Sequence, residues 1–74
     1  MLKPEQVQCW IEQGLPGARA TVIGDGHHFE AVIIHAEFAG KTLIQQQRIV
    51  HAALKDKMHM IHALSMRTLT PEQV

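Results

Sequence analysis

Two β-branched segments bracket a glycine-flanked turn: Arg19 to Ile23, then Gly24-Asp25-Gly26, then a second segment running from Phe29 to Ala36. Val, Ile and Thr lose side-chain freedom in a helix and pack well on a pleated surface, so such runs favour strands, and the Gly-Asp-Gly interval reads as the reversal between them. This hairpin constrains the rest of the chain. Ala31-Val32-Ile33-Ile34 is apolar at every position, which predicts a central strand covered on much of both faces. After a break at Ala39-Gly40, a helix is expected from about Thr42 to Lys57, with Leu43, Gln47, Val50 and Leu54 on one face and Ile44 and Met58 flanking. A third strand follows from Met60 to Leu69. A strand–helix–strand unit of this length closes with a right-handed crossover, so the third strand should lie parallel to the second.

Ahead of the hairpin, Pro4 to Gln13 reads as a short amphipathic helix with Val7, Trp10 and Ile11 on one face, closed by Gly14. Leu15-Pro16-Gly17 then serves as a connector. The final Leu69-Thr70-Pro71-Glu72-Gln73-Val74 nearly repeats Leu2-Lys3-Pro4-Glu5-Gln6-Val7. Each segment is a helix start. Thr70 caps, Pro71 stands first and Gln73 completes the box, with the helix cut off after Val74. The expected architecture is one α+β domain over residues 1–74. Its order is α-β-β-α-β with the start of a last helix, and its helices lie on one face of a three-stranded mixed sheet.

A chain of 74 residues can build a modest core without staples. Seven basic residues balance seven acidic ones, so no global field draws the molecule toward nucleic acid or a membrane. Duplex affinity comes largely from phosphate neutralisation, so neutrality argues against it. Cys9 is the only cysteine, which excludes an internal disulfide and fits a reducing compartment. Beside Trp10 and Ile11, it is expected to be a packed thiol. No secretory pattern opens the chain, and no apolar run approaches the roughly 20 residues of a membrane span, so the expected home is the cytosol. No catalytic Ser-His-Asp set or phosphate loop is present. A KH-type nucleic-acid clamp needs Gly-x-x-Gly between two helices, and none stands there.

Six histidines are the compositional oddity. Imidazole is the commonest metal ligand, but exposed histidines are also cheap. Taken alone, His27 and His28 read as solvated hairpin decoration. Adjacent strand residues point to opposite faces, so once the strand has begun only one of the pair can face a given metal. His62 alone reads as a partly buried histidine bonded to nearby backbone. His59 and His62 would share a face on a helix, but they fall at a helix-to-strand transition. His35 and His51 are expected at the surface. Lys41, Arg48, His51 and Lys55 mark a basic side of the long helix.

"GDGHHFEAVIIHAEFAGKTLIQQQRIVHAAL" followed by "IHALSMRTLTPEQ" resembles the BolA family, especially its shorter bacterial IbaG (YrbA) branch. The matching marks are His28-Phe29, Phe38-Ala39-Gly40, Arg48, His62-Ala63-Leu64 and Thr70-Pro71. The resemblance implies a class II KH-like fold and a non-enzymatic adaptor role. It implies pairing with a monothiol glutaredoxin of Cys-Gly-Phe-Ser type, with a two-iron two-sulfur cluster shared between them and glutathione, in iron–sulfur trafficking or iron and stress signalling. On this basis His62 is the expected ligand from the third strand, and His28 the second, with His27 and Asp25 as fallbacks. Asp25 stands roughly where some relatives carry cysteine. Lys41, Arg48 and Lys55 are the expected contacts to a partner or nucleic acid. Where the family usually carries Arg-His-Arg, this chain has Gln46-Gln47-Arg48, which weakens a nucleic-acid role. A nucleic-acid-binding regulator is the first rival reading, and a monomeric zinc or iron binder the second. A homodimer is a possible assembly of the free chain.

Overall fold

The structure, a computed structural model, describes residues 1–74. Helix α1 spans Pro4–Gly14, strands β1 and β2 span Arg19–Gly24 and His28–Ile34, helix α2 spans Leu43–Ala53, and strand β3 spans Ala63–Leu69. Short 3-10 turns cover Ala36–Phe38, Met58–Met60 and Pro71–Gln73. The sheet order is β1-β2-β3. β1 and β2 pair antiparallel from Arg19 with Ile34 to Gly24 with Phe29, and β2 and β3 pair parallel from His28 with Ala63 to Ile34 with Leu69. The mixed sheet and the central position of β2 are those the sequence predicts.

The reversal between β1 and β2 depends on its glycines. Gly26 has φ +97°, in the left-handed region open to glycine, and a Cβ on Gly24 would lie 2.5 Å from Phe29 Cδ1. Side chains of β2 then alternate: Phe29, Ala31 and Ile33 are buried, whereas His28, Glu30 and Val32 are exposed. The buried set packs with Val7 and Ile11 of α1 and with Val50 of α2 and Leu54 just beyond it. Each fully removed apolar side chain contributes roughly 1.5–3 kcal/mol of transfer free energy, so this single layer between helices and sheet is the source of stability. The expectation that β2 is covered on both faces fails, since Val32 is 39% exposed. The two long helices share one core on one side of the sheet, and the other face is bare.

Helix α2 is shorter than the expected Thr42–Lys57. Thr42 caps it, with its hydroxyl accepting from Gln45 N–H at 3.2 Å and its own N–H donating to Gln45 Oε1 at 2.9 Å. At the other end, Lys57 and Met58 both donate to the Leu54 carbonyl, so the chain tightens into turns before β3. Leu43 and Ile44 are also more exposed than their pattern suggested. Leu43 shares the helical phase of Val50 but lies two turns earlier, past the edge of the core. Beneath that end Gln46 does the polar work. Its amide donates to the carbonyls of Phe38 and Lys41, each at 3.0 Å, and its oxygen accepts from the Thr68 hydroxyl.

Two further expectations are corrected. Cys9 is exposed. It lies about 200° around α1 from Val7, opposite the stripe formed by Val7 and Ile11. His35 is buried rather than superficial, because the period-two pattern of Phe29, Ala31 and Ile33 continues through it. Its N–H donates to Leu69 O, its ring meets Phe38 edge-on at 5.6 Å, and its Nε2 lies 3.3 Å from Glu37 Oε2. The chain closes on Pro71–Gln73, where Thr70 N–H donates to Gln73 Oε1 at 2.7 Å. No helix is long and apolar enough to cross a membrane.

Candidate functional site

The β1–β2 turn and the entry to β3 meet at one end of the sheet. Asp25 Oδ1 accepts two backbone hydrogen bonds, from His27 N–H and His28 N–H, each at 2.9 Å. Asp25 N–H in turn donates to His28 O at 3.2 Å. Aspartate favours such turns because its short side chain can bond the backbone two residues ahead. The turn is tied to β3 by Ala63 N–H, which donates to His27 O at 3.0 Å. His62 immediately precedes Ala63, the register partner of His28.

This wiring brings three imidazoles together. The His62 ring lies 5.8 Å from that of His27 and 6.1 Å from that of His28, centroid to centroid, with both pairs nearly perpendicular. All three residues are exposed. Strand alternation does not divide His27 from His28, because β2 begins at His28 and His27 still belongs to the turn. Both therefore stand beside His62, and distance barely separates them as candidates for a second ligand.

No group of three or more His, Cys, Asp or Glu side chains is arranged to hold a metal ion. The donors suit part of a coordination sphere. Two-iron clusters are held by four protein donors, and imidazoles can replace both thiolates on one iron. His62 with His27 or His28 would supply the two imidazoles of such a half. Cys9 lies on α1, outside the turn and the β3 entry that form the corner. His59 sits in the Met58–Met60 3-10 turn, ahead of β3, so the helical spacing that would put it on one face with His62 does not apply.

The Asp25 carboxyl is held below its ordinary value of 3.8, chiefly by the His28 N–H bond and next by that of His27. A depressed carboxyl contributes stability above its unfolded value and loses it as pH falls through the folded one. The turn should thus stay bonded throughout the neutral and mildly acidic range and release only below pH 3.8. Proton NMR of the free chain checks this: the Asp25 carboxyl should titrate below that pH, and the His27 and His28 amide resonances should both carry a step at the same midpoint. Movement of either amide with a carboxyl midpoint above 3.8 would contradict the assignment.

Of the expected contact residues, Lys41 stands away from this corner. Lys41, Arg48 and Lys55 are all exposed. Lys41 precedes α2, at the far end of β2 from His28, and the seven residues of β2 span about 20 Å. Its Nζ donates to Glu37 O at 2.6 Å. Arg48 lies midway along α2, with Lys41, Gln45 and Ile49 around one shallow hollow. Lys55 follows the helix. What sequence reasoning missed was the role of Asp25 as the acceptor that organises the turn, although Asp followed by Gly is itself a turn signal.

The arrangement has known counterparts. The family model for BolA-like proteins matches residues 4–73. Protein BOLA2 of Arabidopsis thaliana is 37% identical over 78 residues, covering 99% of this chain and 84% of that protein. BolA-like protein 2 of Homo sapiens is 42% identical over 45 residues, or 61% of this chain and 52% of that protein, so the matched stretch spans about half the human protein's length. The solved structure of a BolA protein homologue from Coxiella burnetii superposes with a TM-score of 0.91 at 41% identity, covering 99% of this chain and 96% of that one. With the family model covering almost every residue and a solved BolA homologue sharing the whole fold, the chain belongs to the BolA-like family.

Proposed function

We propose that this chain is a non-enzymatic adaptor that pairs with a monothiol glutaredoxin and supplies imidazole ligation to a two-iron two-sulfur cluster shared with that partner and glutathione. The observation that carries this reading is the meeting of His62 with His27 and His28 at 5.8 and 6.1 Å on an exposed corner without a thiolate. The corner offers half of a coordination sphere and needs a second molecule for the rest. Family membership supports the same partnership.

In this role His62 is the ligand from the β3 side, and His28 or His27 is the ligand from the turn. When bound, the cluster supplies one-electron and iron–sulfur transfer chemistry, and replacing thiolate by imidazole raises its potential. The protein's residues hold the donors. The Ala63 N–H bond to His27 O keeps the turn against β3, and the Asp25 bonds keep the turn closed. Because a proton competes with metal for an imidazole nitrogen, ligation here is weaker in acid than all-thiolate ligation with low-pKa cysteines. That suits an adaptor that must release its cargo.

Titrating the chain into a cluster-loaded glutaredoxin of Cys-Gly-Phe-Ser type tests the proposal. The expected outcome is a one-to-one complex by native mass spectrometry, retaining the cluster, with a changed visible circular dichroism spectrum. An unchanged spectrum and mass at excess chain would overturn it.

A further inference from the structure

We infer that Asp25 is a positioning residue: through one carboxylate oxygen it fixes the backbone of both His27 and His28 so that their imidazoles stand beside His62. The inference rests on the proposed ligand role of that corner and deepens it. It assigns Asp25 to orienting the donors, in place of a role as a donor itself.

Three observations carry it. The two bonds accepted by Asp25 Oδ1 are equal in length, 2.9 Å, and end on the backbones of the two neighbouring histidines. The return bond from Asp25 N–H to His28 O closes the turn on itself, and Gly26, at φ +97°, supplies the backbone reversal inside it. The Ala63 N–H bond to His27 O then ties the closed turn to the residue after His62. A single acceptor shared by consecutive N–H groups fixes the relative orientation of two peptide planes, and with them the directions in which both side chains leave the backbone. Without it, the histidines remain in the chain while their approach to His62 becomes one of many turn conformations. Partners that orient ligands without touching the metal are typically worth on the order of 10–100-fold in metal affinity.

Asparagine separates positioning from ligation, because its side-chain oxygen can accept the same two N–H bonds but is a far poorer iron donor than a carboxylate. Three chains are compared: wild type, Asp25→Asn and Asp25→Ala. In the free proteins, amide hydrogen exchange at His27 and His28 and ring-to-ring nuclear Overhauser contacts with His62 are measured. In the glutaredoxin complex, cluster lifetime is followed by absorbance. Asp25→Asn should keep the slow exchange, the ring contacts and a lifetime near wild type. Asp25→Ala should lose the protection and ring contacts and shorten the lifetime about tenfold. Equal damage from both substitutions to the lifetime, with amide protection intact in Asp25→Asn, would overturn the inference and make the carboxylate a ligand. Wild-type exchange and ring contacts in Asp25→Ala would overturn it without reference to any cluster. Failure of the wild-type chain to take up a cluster would refute the proposed function alone, and the free-protein measurements would still decide the role of Asp25.

Discussion

His62→Ala should shorten the lifetime of the shared cluster by at least about tenfold, because removing a ligand costs no less than removing the residue that orients one. The substitution should leave the fold almost untouched. His62 is exposed and stands just before β3, and surface changes away from caps and cores usually stay within about ±0.5 kcal/mol. The near-equal distances of His27 and His28 from His62 give a second part to the expectation. Each single alanine substitution of that pair should give a partial loss, since the neighbouring imidazole can substitute. The double substitution should approach the effect of His62→Ala. Lifetimes in the glutaredoxin complex, with far-ultraviolet circular dichroism as the control for folding, measure both. A wild-type lifetime for His62→Ala would remove the ligand assignment.

The largest effect on stability is expected from Phe29→Ala. Phe29 is 1% exposed at the centre of the layer between sheet and helices. Removing a buried phenylalanine side chain costs about 3–5 kcal/mol, from lost transfer free energy and from the cavity left behind. Domains as a class are stable by only about 5–15 kcal/mol, and small ones lie toward the lower end. The variant should therefore be marginal, with a melting temperature lowered by more than about 10 °C. Phe29 also follows His28 directly and touches Gly24 across the hairpin, so the turn should loosen with the core. Urea and thermal denaturation check this. A loss below about 1 kcal/mol would show that the layer can collapse around the missing ring.

Much of the fold was legible because it rests on local chemistry. The β-branched runs around Gly24-Asp25-Gly26 specify a hairpin, and the strand–helix–strand spacing specifies a parallel third strand. The faults arose where position in the whole molecule decides the outcome. Ala31-Val32-Ile33-Ile34 is apolar throughout, but with both long helices on one side, Val32 is left on the bare face. Leu43 has the right helical phase yet lies beyond the core. His35 was misjudged for the opposite reason: its chemical type suggested a surface residue, whereas its place in the alternation with Phe29, Ala31 and Ile33 determined burial.

At the candidate site, the family resemblance drew attention to His62 and His28, and the structure places their rings 6.1 Å apart. Alternation along a strand allows only one of the pair to face a given metal, and the resemblance selects His28, which leaves His27 as the fallback. The strand begins one residue later, and a turn residue is not bound by a period of two. The contribution of Asp25 depends on which backbone N–H groups its oxygen meets, which residue type alone does not reveal. The cationic residues were grouped by helical spacing, but Lys41 lies beyond the helix start, at the opposite end of β2 from the histidines. A partner seated on His62 and also touching Lys41 would have to reach along β2, whose seven residues span about 20 Å.

The claim that imidazoles of this chain ligate a shared cluster is tested most directly by isotope-edited pulsed electron paramagnetic resonance. The chain is labelled with nitrogen-15 at histidine alone, mixed with unlabelled cluster-loaded glutaredoxin, and reduced to the paramagnetic state. Strongly coupled nitrogen-15 signals are predicted for the wild-type chain, with one coupling lost in His62→Ala. A reduced cluster in the verified complex with no nitrogen-15 coupling would contradict the account.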